Sequence, residues 1–454
     1  MSAEVFTHQS LSESLQTIMS AKRWWVGFSG GLDSTVLLWA LVQWRRQASA
    51  PTPELLAIHV NHGLSLQASR WQQHCDDLCR QWDVQFITET VVITSAGKGV
   101  EAAARSARYE AFARHLKVGD VLLTGHHQDD QAETLLLRLL RGSGVRGLTA
   151  MAAQRSLGPA RIQRPLLEFS RQQLQTYAKL QDLKFVHDDS NSQEQYDRNF
   201  LRHRILPELQ QRWPKLASRW ARTARVLGES EQALGELAAM DLGACEEQPA
   251  RYGWAINIEL FRGLSVARRH NLIRYWCQQR RLALPEYKHL LDLDAAMAAG
   301  ADRLCVQWRG VSLRTYGDKL YLLPAFPVAA ESFVNKSVKL DSAESGMTLP
   351  DHSQLTLRLG RGGLRSDLGP FSLRWRRGGE RCRPQQRQHS QTLKKCLQEF
   401  RLEPWLRERV PLVYCGETLV AVGDLWICHG YGAPKDGAGL MLRWTYPPAF
   451  HEAK

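Results

Sequence analysis

The stretch Ser29-Gly30-Gly31-Leu32-Asp33-Ser34-Thr35 combines glycines, hydroxyls and one carboxylate in the spacing of an anion cradle. Gly30 and Gly31 let a backbone turn tightly and approach a ligand without a Cβ clash. The free N–H groups at the start of a following helix point at an anion, and the helix dipole assists them. Ser29, Ser34 and Thr35 add hydroxyl donors. Asp33 repels phosphate, a conflict that a Mg2+ ion between the two resolves. The loop lacks Gly-x-x-x-x-Gly-Lys-Ser/Thr, so it is not a Walker A loop, and it is not Gly-x-Gly-x-x-Gly either. The plain alternative is a Gly-Gly turn before an N-capped helix. Two more polar clusters weigh against it: Asn61-His62-Gly63 and Gly125-His126-His127-Gln128-Asp129-Asp130-Gln131.

The elements that must position these residues alternate between two periods. Residues 22–28, 55–60, 84–88 and 121–124 read as short apolar strands, and 34–45, 66–82, 100–116 and 129–141 as helices. Strand alternating with helix predicts a parallel sheet covered on both faces. Ligands on such sheets bind at the carboxyl ends of the strands, where all three polar clusters fall. Residues 163–204 are mixed, with a turn at Arg164-Pro165, a helix over 170–183 and a polar loop at Asp188–Asn191. Residues 207–240 and 266–299 read as helical, 303–308 and 319–323 as strands, and 348–454 as strand-rich with many Arg and Gly. The expected fold is α/β. An N-terminal parallel-sheet nucleotide-binding domain (1–222) precedes a mostly helical middle domain (223–335) and a small α+β C-terminal domain (348–454).

The 454 residues are 44% hydrophobic and 23% charged, which excludes a wholly disordered chain. The net charge of +13 and pI near 9.4 point to a polyanionic partner. Eleven Lys/Arg against four Asp/Glu between Arg374 and Arg409 make the last domain the richest in positive charge. Trp375 and Trp405 interleave with that charge, a pattern that suits backbone neutralisation plus base stacking or, alternatively, a basic face over core tryptophans. Nine cysteines without a Cys-x-x-Cys do not form a disulfide framework. No apolar run spans a membrane, and the N-terminus has no signal-peptide pattern. A reduced, cytoplasmic chain is expected.

Ser-Gly-Gly-x-Asp-Ser after a first strand resembles the PP-loop of the ATP pyrophosphatases, which cleave ATP between the α and β phosphates and adenylate an oxygen. The flanking motifs narrow the resemblance. His59-Val60-Asn61-His62-Gly63-Leu64, Glu101–Tyr109, Thr124–Thr134, Arg141–Leu148, Arg164-Pro165-Leu166-Leu167 and Asp188–Asn191 with Arg198-Asn199 closely resemble the tRNA(Ile)-lysidine synthetases. That likeness runs continuously over about residues 20–210. Near the C-terminus it is carried by Arg377-Gly378-Gly379-Glu380, Leu393-Lys394-Lys395 and Pro404–Pro411.

The resemblance implies ATP with Mg2+, free lysine and an isoleucine tRNA with a CAU anticodon as co-substrates and partners, and no membrane. It implies that Ser29, Gly30, Gly31, Leu32, Asp33, Ser34, Thr35, His62 and His126 contact ATP and that Asp33 binds Mg2+. Arg105 then serves the phosphates or the adenylated intermediate. Asp130 and Glu133, spaced to share a helix face, hold the lysine amines. Asp33, Arg105, Asp130 and Glu133 form the catalytic set. Asn191, Arg198, Arg202, Arg376, Arg377, Arg381, Lys394 and Lys395 bind tRNA. His59, inside a predicted strand, is expected in the core, and a homodimer is among the expected assemblies. A PP-loop tRNA thiolase is the alternative enzyme. It needs catalytic cysteines, and Cys75 with Cys79 are expected instead to be buried helical thiols. A non-enzymatic basic RNA-binding protein would explain the charge and leave the three polar strand ends unexplained.

Overall fold

The computed structural model describes residues 5–61, 67–91, 100–186, 197–299, 304–327, 337–340 and 346–446. His62 and the Asp188–Asn191 loop, Asn191 included, lie outside the described residues. The chain divides into two compact units, residues 1–233 and 234–454.

In chain order the first unit runs α1 (Ser12–Gln16), β1 (Arg23–Gly27), α2 (Leu32–Gln47), β2 (Glu54–Asn61), α3 (Ala68–Gln81), β3 (Gln85–Thr90), α4 (Val100–His115), β4 (Val121–Leu123), α5 (Gln128–Leu140), α6 (Val145–Leu148), β5 (Gln154–Leu157), β6 (Ala160–Gln163) and α7 (Arg171–Leu180). Consecutive strand residues face opposite sides of a sheet, and here both sides are apolar. Trp24, Val26, Leu55, Ala57, Val121 and Leu123 pack into one core with α2, α3 and α7. Trp25, Leu56, Ile58, Leu122 and Ile162 pack into another with Phe112 and Leu116. That is why these strands read as continuous apolar runs and form a buried parallel sheet.

The sheet order is β3-β2-β1-β4-β6-β5. All pairs are parallel except the β5–β6 edge hairpin. β1 pairs with β2 on one side and β4 on the other, so the chain order reverses there and opens a crevice at the carboxyl ends of these strands. Asp120, buried at the start of β4, ties the two strands together. It accepts from Arg23 Nε at 3.0 Å, Arg23 Nη2 at 2.7 Å and Trp25 Nε1 at 3.2 Å. The four strands and flanking helices expected from periodicity are all present. The β5–β6 hairpin was not expected, although Gly158-Pro159 between two short segments marks its turn.

After α7 come α8 (Asp197–Phe200), one π-helical turn (Leu201–Ile205) and α9 (Leu206–Arg212). The long helix α10 (Leu216–Ala244) runs on into the second unit. There, a five-stranded antiparallel sheet packs with helices Val266–Gln279 and Tyr287–Ala298. Trp254, Phe261, Leu272, Ile273 and Trp276 fill that core. The strands Cys305–Trp308 and Lys319–Pro324 were expected, and Val311–Tyr316 between them was not. Among its described residues the C-terminal part holds a five-stranded, a four-stranded and a two-stranded sheet and the α-helix Leu393–Glu399. Trp375 is 1% exposed within its core, so it cannot stack on a base; the stacking expectation for this residue is corrected to a packing role. Trp405 packs edge-on against Tyr321, with centroids 5.0 Å apart. No helix among the described residues is long and apolar enough to cross a membrane.

Candidate active site

The glycine loop closes on itself before it meets any ligand. Ser34 Oγ donates to the Gly31 carbonyl at 3.1 Å and lies 3.0 Å from Ser29 Oγ. Gly30 has φ +79°, and a Cβ there would sit 2.8 Å from Cys75 Sγ, so glycine is required on conformation and on space. Gly31 ends the extended segment and starts α2. Ser34, Thr35 and Leu32 are buried in the first turn. Gly125, at the end of β4, lies against the loop from the other side: a Cβ would meet the Asp33 carbonyl carbon at 2.9 Å and Ser34 N at 3.0 Å. His59 is in the core as expected, with Nδ1 2.9 Å from the Phe28 carbonyl, and burial pushes its pKa down. Cys75 and Cys79 are fully buried thiols, and burial pushes both up to about 12.

Asp33 reaches into the crevice. Its Oδ1 is buried with no hydrogen-bond partner among the described residues, and its Oδ2 lies 3.6 Å from His127 Nε2. An orphaned buried carboxylate oxygen beside a phosphate cradle fits a hard cation such as Mg2+. His127, present in the third polar cluster but given no role by its sequence, is 1% exposed amid three carboxylates: Asp33, Asp129 at 3.7 Å and Asp130 at 3.5 Å. Burial opposes its charge, but the carboxylates prevail and push its pKa up to about 9. Its neighbour His126 goes the other way. Burial, with help from Arg164, Arg105 and Arg198, pushes it down to about 3, and Thr124 Oγ1 lies 2.9 Å from its Nδ1. One histidine is thus an imidazolium and the next a neutral ring. The same Asp129 Oδ2 that lies 3.7 Å from His127 also caps α7, accepting from Arg171 N at 2.8 Å.

Asp130 and Glu133 share the buried face of α5 as their spacing predicts. Arg198 and Arg202, expected on tRNA, pair with these two carboxylates. Arg198 Nε donates to Glu133 Oε2 at 2.8 Å and its Nη2 to Asp130 Oδ1 at 2.9 Å. Arg202 Nε donates to Glu133 Oε1 at 2.5 Å and its Nη2 to Asp130 Oδ1 at 3.0 Å. Burial works against the Asp130 charge. His127 and the two guanidiniums outweigh it and hold the carboxyl well below its usual range. Around His126 and Tyr109 the lining is basic. Arg105 and Arg155 lie over the Tyr109 ring at 5.2 and 4.6 Å. Arg164, buried at the end of β6, donates to the Ala152 carbonyl at 2.5 Å, and its Nε has no hydrogen-bond partner among the described residues. Despite burial, Arg105, Arg164 and Arg155 hold the Tyr109 phenol below its ordinary pKa. The crevice therefore gathers carboxylates around His127 and guanidiniums around His126 and Tyr109.

In the second unit the Arg-Gly-Gly-Glu motif is a turn. Gly378 and Gly379 both have positive φ, and Glu380 Oε1 accepts from Arg377 N and Gly378 N. Arg381 pairs across a short ladder with Thr392, which leads into the helix bearing Lys394 and Lys395. Arg377, Arg381, Lys394 and Lys395 are exposed on this one locality, while Arg376 is half-buried, 4.0 Å from Glu380.

Sequence models of a PP-loop domain, a TilS substrate binding domain and a TilS substrate C-terminal domain match residues 4–209, 256–321 and 371–444. The tRNA(Ile)-lysidine synthase of Coxiella burnetii is 35% identical over 453 residues, covering 98% of each chain. That of Pseudomonas aeruginosa is 40% identical over 447 residues, covering 96% of each. The chain belongs to the tRNA(Ile)-lysidine synthase family. The family's Escherichia coli O157:H7 member is 39% identical over 435 residues, 94% of this chain and 97% of that one. Cys75 and Cys79 are buried on α3, as expected of helical packing thiols. Among the described residues no group of His, Cys, Asp and Glu has metal-site geometry.

Proposed function

We infer that the chain joins lysine to C2 of the wobble cytidine in the CAU anticodon of an isoleucine tRNA, using ATP. The observation that carries this reading is family membership over nearly the whole chain, supported by a crevice with guanidiniums for phosphate and carboxylates for an ammonium. The cytidine C2 oxygen attacks the α-phosphate and pyrophosphate leaves. The lysine ε-amine then attacks C2, and AMP leaves with the oxygen. Adenylation depends on positioning and charge neutralisation more than on covalent help. The N–H groups around Gly30 and Gly31 and the hydroxyls of Ser29, Ser34 and Thr35 would cradle phosphate oxygens. Arg105 would neutralise charge on the phosphates. Asp33 would hold Mg2+, whose chemistry is to screen the charge building on the phosphates. Asp130 and Glu133 would hold the lysine ammonium. A carboxyl held as low as Asp130 is suited to gripping a cation rather than taking its proton. The neutral ring of His126 sits among the guanidiniums without adding charge.

We assign residues 1–222 to catalysis and 223–335 and 348–454 to holding the RNA, with Arg377, Arg381, Lys394 and Lys395 on its backbone. The reaction is expected in the cytoplasm. The test incubates the protein with ATP, Mg2+, labelled lysine and an isoleucine tRNA bearing CAU. Label entering the tRNA with equimolar AMP supports the reading, and no incorporation by folded protein overturns it.

A further inference from the structure

We propose that Arg198 and Arg202 are placeholders for the substrate ammonium on Asp130 and Glu133, and that lysine gains these carboxylates only when a phosphate-bearing co-substrate draws the guanidiniums away. The proposal rests on the reading that Asp130 and Glu133 receive lysine. As the crevice stands, every carboxylate oxygen of the pair is taken. Asp130 Oδ1 accepts from both arginines and Oδ2 from His127 N at 3.1 Å. Glu133 Oε1 accepts from Arg202, and Oε2 from Arg198 and from Arg202 at 2.8 Å. Two carboxylates face two guanidiniums, so an arriving ammonium meets a neutralised cluster and gains little Coulomb energy.

The cluster is unevenly anchored. Glu133 is 2% exposed in its side chain and is fixed in α5, whereas the Arg198 and Arg202 side chains keep 24% and 22% of their surface. The arginines can leave, and the carboxylates cannot follow. Arg202 also lies in the π-helical turn, where backbone hydrogen bonding departs from the regular α pattern. The basic lining supplies the direction of the pull. Arg198, Arg105 and Arg164 all bear on His126, so a polyanion bound between them attracts Arg198 and relieves their mutual repulsion. Arg198 and Arg202 are then positioning residues that make lysine binding depend on phosphate, and by linkage make phosphate binding depend on lysine. Lysine would be excluded until there is something to attack.

Equilibrium dialysis of labelled lysine against the full chain tests this. The arms are protein alone, protein with Mg2+ and α,β-methylene-ATP, and protein with the CAU isoleucine tRNA. In the wild type the anion arms are expected to tighten lysine binding at least tenfold, and comparing the two shows whether nucleotide or RNA phosphate is the source. Arg198→Gln/Arg202→Gln is expected to bind lysine without any anion at least as tightly as the wild type does with one, and to lose the dependence. Arg202→Lys keeps the charge without the fork and should restore part of it. Equal lysine affinity in all wild-type arms overturns the proposal. So does a double variant that still binds the nucleotide analogue but binds lysine more weakly in every arm, because the guanidiniums would then belong to the lysine site. If the double variant does not fold, the wild-type arms and Arg202→Lys decide alone. Failure of the underlying reading looks different: the wild type would bind lysine in no arm and transfer none to tRNA.

Discussion

At the scale of single residues, charge decides what each group in the crevice can do. Asp33 has an unpartnered buried oxygen beside the phosphate cradle. Asp33→Asn should cut ATP–pyrophosphate exchange by about 100-fold or more while tRNA affinity stays within about twofold; a variant with wild-type exchange removes the cation role. His127 carries a second prediction. Its folded pKa, about 9, lies above its unfolded value. Its contribution to stability is therefore present in full below about pH 6.5 and is lost as pH rises through about 9. The difference in unfolding free energy between wild type and His127→Asn should shrink by about 3 kcal/mol over that window. Urea titrations at several pH values check it, and a pH-independent difference excludes the imidazolium. The glycine loop, Asp130 with Glu133, and core His59 were legible in sequence because spacing within one element reports a shared face or strand. His127 and the clasp by Arg198 and Arg202 were not. Arg198 is 65 residues from Glu133, and no local pattern records which distant carboxylate a guanidinium will find.

At the scale of elements, the crevice exists because β4 brings its carboxyl end against the loop that follows β1. Gly125 makes that approach possible, since a Cβ there would collide with backbone atoms of Asp33 and Ser34 rather than with a side chain able to move. Gly125→Ala should therefore shift the cradle by a few tenths of an ångström. The expected result is a drop in kcat/KM for ATP cleavage of about 100-fold with a melting temperature lowered by only a few degrees. A fall in stability without loss of activity would show that the loop tolerates the displacement. Periodicity exposed β1, β2 and β4 because both of their faces are buried and they are apolar runs, while the edge strand β3 sets Phe86 and Ile87 among polar residues. The hairpin of β5 and β6 escaped for want of such a run. β5 is an edge strand with exposed Gln154 and Arg155, and β6 is four residues long with only Ala160 and Ile162 apolar, so neither gives a run beyond the Gly-Pro turn. Arg164 follows that hairpin; its sequence marked it as part of a turn and of a family motif but gave it no place beside the crevice.

At the scale of the whole molecule, the charge of +13 can be apportioned. In the crevice, Arg198 and Arg202 are matched by Asp130 and Glu133 and contribute little to long-range attraction, whereas Arg105, Arg155 and Arg164, set against a phenol ring and a backbone carbonyl, keep their charge. In the second unit, several cations in the basic segment are spent on partners, as Arg374 is on Glu417 and Arg387 on Glu399. Arg377, Arg381, Lys394 and Lys395 are exposed together beside the glycine turn. Each phosphate neutralised releases counterions, which lowers the salt slope of log K by about 0.7 to 0.9 per contact. Replacing Arg377, Arg381 and Lys394 by Ala should thus reduce the slope for tRNA by about 2 to 3 and weaken binding at low salt most. Because these residues lie outside the crevice, ATP–pyrophosphate exchange at saturating tRNA should hold. Half-buried Arg376, near Glu380, should contribute less than any of the three when replaced alone. Filter binding across a salt series measures both quantities. An unchanged slope in the triple variant would move the RNA contact elsewhere on the molecule.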